Sequence, residues 1–169
     1  RDFTYPTQNE KDKIDFPTTG HSNAFIRFVE EELEGFIEEQ YRCTDERTII
    51  GQSLGALLAT EILLKKPHLF TNYIIVSPSM WWDDGSLFEK IPTELAAEKM
   101  IFVAVGKEGE IMERDARQLY EQLLAKKSED SAVYFTFLKN QDHGDALHLA
   151  IYSAFEKIFD PANRKSSHR

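Results

Sequence analysis

With 169 residues, 41% of them apolar, the chain can bury one core of ordinary domain size and is not a disordered polymer. A net charge of −9 excludes nucleic-acid binding through clustered Lys and Arg, and the single Cys43 excludes both an internal disulfide framework and a multi-thiolate metal site. No run of ~18 apolar residues is available to span a membrane, and the start carries no signal-peptide pattern. These features describe a soluble chain, periplasmic or cytoplasmic. It starts with Arg1 rather than Met, and the expectation is that a longer polypeptide continues upstream.

In "SNAFIRFVEEELEGFIEEQYR", Phe25, Ile26, Phe28, Val29, Leu33, Phe36 and Ile37 recur at helical spacing. Ser22 or Asn23 is the expected cap, and Glu30, Glu31 and Glu32 crowd the outer side. "RTIIGQS" reads as a short buried strand, followed by a helix through Lys66 that Pro67 ends. "NYIIVS" is the next strand, an aromatic loop follows, and "KMIFVAVG" has the continuous apolar character of a strand covered on both faces. "IMERDARQLYEQLLAKK" is a helix, "AVYFTFL" a strand and "DALHLAIYSAFEKIF" the last helix. Residues 1–160 are expected to make up the folded, partial domain, with a basic tail at 161–169 expected to be disordered in solution.

Strands alternating with helices at these lengths imply βαβ units and a parallel sheet with right-handed crossovers. Functional groups on such sheets gather beyond the carboxyl ends of the strands. Those ends carry Ser53, the "SPSMWW" loop, the "GKEGE" turn and the "NQDHGD" loop.

The stretch "GQSLG", residues 51–55, falls between "TII" and "ALLATEILL". A Gly-x-Ser-x-Gly pattern at a strand-to-helix turn is the setting of an exposed, strained nucleophilic serine. Gly51 and Gly55 would let the backbone pass close to the helix, and the Leu54 amide would be one oxyanion donor. The plainer alternative is a tight turn with Ser53 as a helix cap.

A serine hydroxyl needs a neighbouring base. Of the five histidines, His168 lies in the tail, His68 follows a helix-ending proline, and His148 falls inside the last helix. His21 precedes the first helix and could line a pocket. His143 alone lies past a strand end, and it follows Ser53 in the chain order Ser, acid, His. A solvated loop histidine is its alternative reading. The acid should lie after "IFVAV", where Glu108 is the candidate and Glu110 the reserve. Glu113 and Asp115 fall in the first turn of the next helix, where acids balance the macrodipole. A Ser-His dyad without a strong acid stays open. Trp81 and Trp82 cannot both enter one core from an extended segment, so at least one would wall an acyl or aryl pocket. Gln52, Trp81, Trp82 and His21 are the substrate-contact candidates.

These residues resemble the α/β-hydrolase fold, and within it the esterase D / trilactone-siderophore (enterobactin-type) esterase group. "FIRFVEEELEGFIEEQYR", "RTIIGQSLGALLATEILLKKPHLFTNYIIVSPSMWW" and the late "DHG" carry the likeness, which runs from about Arg1 to Phe159. The resemblance implies Ser53 as nucleophile, His143 as general base and the Leu54 amide as oxyanion donor. Gln52 stands where the group often has His, a change expected to be harmless because the side chain should point away from the reaction. Gly109 stands where an acid is frequent. The resemblance also implies that this chain is the C-terminal half of the parallel, doubly wound sheet, about four strands with flanking helices. The N-terminal strands and the second oxyanion amide would come from an upstream segment of the same protein.

The reaction implied is hydrolysis of a carboxylic ester through an acyl-enzyme, without metal or organic cofactor, on a small-molecule ester of siderophore, small acyl or feruloyl type. The alternatives are acyl transfer on the same scaffold, or a hydrolase-like binding module that turns nothing over.

Overall fold

The computed structural model describes residues 2–160; Arg1 and the basic tail 161–169, with His168, lie outside the described residues. In chain order the elements are α1 (Glu10–Asp15), α2 (Ser22–Phe28), a π-helical turn (Val29–Leu33), α3 (Glu34–Gln40), β1 (Thr48–Gln52), α4 (Leu54–Lys65), β2 (Asn72–Val76), β3 (Met100–Gly106), α5 (Glu110–Lys126), β4 (Ala132–Leu138) and α6 (Ala146–Ile158). Irregular 3-10 turns over Trp82–Lys90 replace a helix between β2 and β3.

All four strands are parallel and lie side by side in chain order. Ile50 is level with Ile74, Ile74 with Phe102, and Phe102 with Tyr134. The pleat sends alternate residues to opposite faces. Tyr73, Ile75, Ile101, Val103 and Val105 join Leu57, Ile62 and Leu63 of α4 and Leu119 and Leu123 of α5 in one core. Ile74, Val76, Phe102 and Ala104 face Ala146, Ala150, Ala154 and Ile158, a four-residue spacing that makes one stripe along α6. Because both faces of β2 and β3 are covered, these strands read as unbroken apolar runs. The residues of α4 from Ala56 to Leu63 are buried on every side. The sheet covers one side, and Tyr5 and Ile26 join the same core.

The N-terminal segment lies against the loop after β2. Asn9 caps α1 by accepting from the Lys11 and Asp12 amides, a helix the periodicity analysis did not anticipate. Trp82 Nε1 donates to the Tyr5 carbonyl at 3.0 Å. The Asp83 carboxylate accepts from Thr7 Oγ1 (2.8 Å), the Gln8 amide (2.5 Å), the Asn9 amide (3.2 Å) and Ser86 Oγ (2.6 Å). Asp83 and Asp84 both sit at φ 53°, a left-handed conformation that aspartate tolerates better than most residues.

The helix expected from Ser22 onward forms, with two differences. His21 rather than Ser22 or Asn23 occupies the cap position, and it makes no side-chain cap bond. Ser22 is buried inside the first turn, its amide donating to the Thr4 carbonyl at 3.0 Å. The π turn then shifts the phase of the apolar stripe. Ile26 reaches the core, whereas Phe28, Leu33, Phe36 and Ile37 stay exposed. Ile50 on β1 is 42% exposed. Among the described residues, no strand from residues 2–46 pairs with the outer edge of β1.

The grip on Asp83 makes a pH prediction. Partial burial works against ionisation, but the bonds from Ser86, Gln8, Thr7 and Asn9 outweigh it and hold this carboxyl below the usual aspartate value. With the folded value depressed, the stabilisation is complete above about pH 4, and it is lost as pH falls through the lower folded value. Asp83→Asn, which keeps tolerance of the left-handed backbone, should cost about 1–2 kcal/mol at neutral pH. In thermal melts the gap to the parent should close at low pH; a gap independent of pH would contradict the assignment.

Candidate active site

Ser53 lies in the one-residue turn between β1 and α4, at φ 57° and ψ −120°. A serine at positive φ is strained and must be held by its surroundings. Its amide donates to the Val76 carbonyl (3.0 Å), and its carbonyl accepts from Ala56, Leu57 and Ser79 (3.1, 3.0 and 3.2 Å). Gly51 is required on steric grounds, since a Cβ there would stand 2.2 Å from the Gly55 carbonyl oxygen. Gly55 is not: a Cβ there meets nothing within 4 Å. The expectation that both glycines serve close approach is therefore corrected for Gly55. Leu54 opens α4, so its amide is one of the first four that lack an intrahelical acceptor.

His143 Nδ1 lies 2.6 Å from Glu108 Oε2. A carboxylate can only accept, so Nδ1 carries the proton and Nε2 is the basic nitrogen. The Glu108 side chain is 2% exposed, and burying such a charge requires partners. Its Oε1 accepts from Ser77 Oγ (2.5 Å) and the Gly106 amide (2.8 Å). Glu113 accepts from the amides of Glu108 and Gly109, both at 3.1 Å, which fixes the turn before α5. Glu110, the reserve acid, begins α5 with an exposed side chain.

The loop carrying His143 is braced at several points. Lys107 N donates to the Gln141 carbonyl (2.6 Å), and Gly144 N to Asp142 Oδ1 (2.7 Å). Gly106 permits this approach, because a Cβ there would lie 2.6 Å from the Gln141 oxygen. Gln52 Nε2 donates to the carbonyl of His143 itself at 2.6 Å. The expectation that the Gln52 side chain points away is thus corrected in its geometry: its amide nitrogen bonds the backbone of His143. In the hydrogen bonds of the described residues, the Ser53 hydroxyl pairs with Ser79 Oγ (3.3 Å) rather than with the imidazole. Such contacts commonly tighten only with substrate bound.

Ser77 and Ser79 were missed in the sequence reading. One supports the acid and the other the serine, and both follow the end of β2 in "SPS". The strand-end rule points to this loop, but two serines in it carry no spacing signal of their own. Trp82 is 1% exposed and packs the core, so the substrate contact expected of it is replaced by a structural role. Trp81 is half-buried and lines a cavity of ≈ 620 Å³ with Phe88, Ile111 and Arg114. A second cavity, also ≈ 620 Å³, lies beside Ser53 and is lined by Phe3, Phe25, Ile49, Ile50 and Leu58. His21 is exposed at the start of α2 and does not line it. His148 is exposed on α6, and His68 pairs with Glu30 at 2.9 Å.

A serine held at positive φ where a parallel strand enters a helix, with an acid–imidazole pair over the same sheet, is the arrangement of the α/β-hydrolase fold. Solved structures agree. The chain is similar to the BES protein from Bacillus cereus, with a TM-score of 0.80 and 30% identity, over 90% of this chain and 60% of that one. It also shares its fold with the enterobactin hydrolase IroE, with a TM-score of 0.73 and 21% identity, over 94% and 63% of the two chains. In sequence it is 31% identical to the ferri-bacillibactin esterase BesA of Bacillus subtilis over 177 residues, covering 95% of this chain and 61% of that protein. Residues 4–148 match the model of the Esterase family, described as "Putative esterase", and the chain belongs to that family. It spans about three fifths of the length of these relatives.

The two glycines of the turn should respond differently to alanine. Gly51→Ala should destabilise this chain by about 2 kcal/mol or more through overpacking. Gly55→Ala, at an open helical position, should change stability by no more than about 1 kcal/mol. Denaturant melts of both variants check the contrast.

Proposed function

We propose that the intact protein is a serine hydrolase of carboxylic esters in which Ser53, His143 and Glu108 form the catalytic triad. The observation that carries this reading is the 2.6 Å bond from the His143 ring to a buried Glu108, on a loop tied to the residue next to Ser53. His143 Nε2 takes the proton of Ser53 as its oxygen attacks the ester carbonyl. The developing oxyanion is held by the Leu54 amide and by a second amide from an upstream segment. The imidazolium returns its proton to the departing alcohol, and water activated by the same nitrogen then releases the acyl group. No cofactor takes part. The names of the relatives, a ferri-bacillibactin esterase and a siderophore enterobactin esterase of Emericella nidulans, favour a siderophore-type lactone as substrate over a small acyl or feruloyl ester.

The upstream segment is proposed to complete the sheet along β1. The exposed Ile50, Phe28 and Phe36 and the apolar cavity beside Ser53 support this, because a bare parallel edge strand invites pairing. Acyl transfer to an alcohol in place of water would use the same residues.

p-Nitrophenyl acetate and a catecholate trilactone, offered to the intact protein, test the reading. Ser53→Ala should lower kcat by about 10⁴-fold or more, and Glu108→Gln by about 10²–10⁴-fold. Turnover at the parent rate by Ser53→Ala would dispose of the serine mechanism, and ligand binding without turnover would make the protein a binding module. The 169-residue chain alone, lacking one oxyanion donor, should be slower than the intact protein by about 10²–10³-fold.

A further inference from the structure

We propose that Gln52 is a positioning residue: its side-chain amide fixes the His143 loop against the nucleophile turn and keeps imidazole and serine in register. The inference rests on the triad reading above and deepens it. Ser53 follows β1 and His143 follows β4, which are the two outer strands of the four. Strands pair about 4.8 Å apart, so three spacings separate these strand ends by about 14 Å. The loop after β4 must therefore cross the rim of the sheet to bring an imidazole to the serine.

Its anchors along that crossing are unequal. The Lys107–Gln141 backbone bond and the Glu108–His143 bond fasten the loop to the end of β3. Ser53 is fastened elsewhere, to Val76 and Ser79 at the end of β2. Fixing the ring to Glu108 alone sets its orientation but leaves its distance from the serine free. The bond from Gln52 Nε2 to the His143 carbonyl, 2.6 Å, ties the backbone of the base to the neighbour of the nucleophile. It needs a donor at the end of a side chain of this length, whereas the accepting carbonyl belongs to the backbone and survives any substitution. A reacting pair displaced by about 1 Å loses on the order of 10²-fold in rate.

The test uses the intact protein with p-nitrophenyl acetate, comparing Gln52→Met and Gln52→Glu, which keep the side-chain length without a donor, with Gln52→His, whose ring N–H restores one. Expected are a fall in kcat of about 10–100-fold in the first two, little change in KM, an unchanged melting temperature, and recovery to within about threefold in Gln52→His. Parent kcat in both donor-free variants overturns the proposal, as does a raised KM at constant kcat, which would make Gln52 a substrate contact. A loss of kcat that Gln52→His does not restore also overturns it. Should Gln52→Met fail to fold, Gln52→Glu carries the same comparison. Ser53→Ala in parallel separates the two readings: if it is inactive while the Gln52 variants are unaffected, only the positioning role fails.

Discussion

The Glu108 carboxylate joins three strand ends at once. Through Oε1 it holds Ser77 after β2 and the amide of Gly106 at the end of β3, and through Oε2 it holds His143 in the loop after β4. Withdrawn from water, this charge would cost several kcal/mol if unpaired. Three donors offset that cost, each from a different strand end, so displacing any of these loops removes part of the compensation. The orientation of the imidazole thus follows from the register of the strands beneath it, because parallel pairing delivers Ser77, Gly106 and the β4 loop to the same rim.

The same logic appears on the neighbouring loop, with another carboxylate at its centre. Asp83 gathers Thr7, Gln8, Asn9 and Ser86, and the Trp82 indole is bonded to Tyr5. The N-terminal segment thereby braces the loop that begins with Ser77 and Ser79. That loop carries no regular helix, and the left-handed Asp83 and Asp84 would be costly without these donors. Trp82 fills the core and Trp81 is left at the cavity wall, so two adjacent identical residues have different duties.

Much of this was legible in the sequence where one local rule and the tertiary structure agree. β4 matches its apolar run residue for residue, and α4 ends at Lys65, one residue before the expected limit set by Pro67. Ser53 was legible because its strained turn demands small neighbours, though only Gly51 meets that demand sterically. The sequence offered Glu108 with Glu110 in reserve and no local rule to separate them; in the structure burial and the His143 contact distinguish the two. What escaped depended on contacts remote in sequence. Gln52 meets His143 across 91 positions, and Ser77 meets Glu108 across 31, pairings no local period encodes. The short α1 has only its Asn9 cap as a signal, too little for a pattern read over two turns. The π turn at Val29–Leu33 escaped because apolar spacing alone does not reveal a change of phase.

The middle of the sheet and its β1 edge are finished differently, and this bears on the site. Over β2 and β3 both faces are sealed, by α4 and α5 on one and by α6 on the other, so Glu108 stands at the end of a packed platform. On the side of β1, Ile50 and an apolar cavity lie open next to Ser53. Ser53 therefore lies at the boundary between a closed core and an uncovered one. Its turn is held from the closed side by Val76 and Ser79, while on the open side Ser53 and Leu54 border the apolar cavity. A segment lying along that edge would do two things at once: bury the apolar flank of β1 and stand beside the turn that carries Ser53. The apolar flank and the serine are parts of one surface, because Ile49, Ile50, Ser53 and Leu54 line the same cavity.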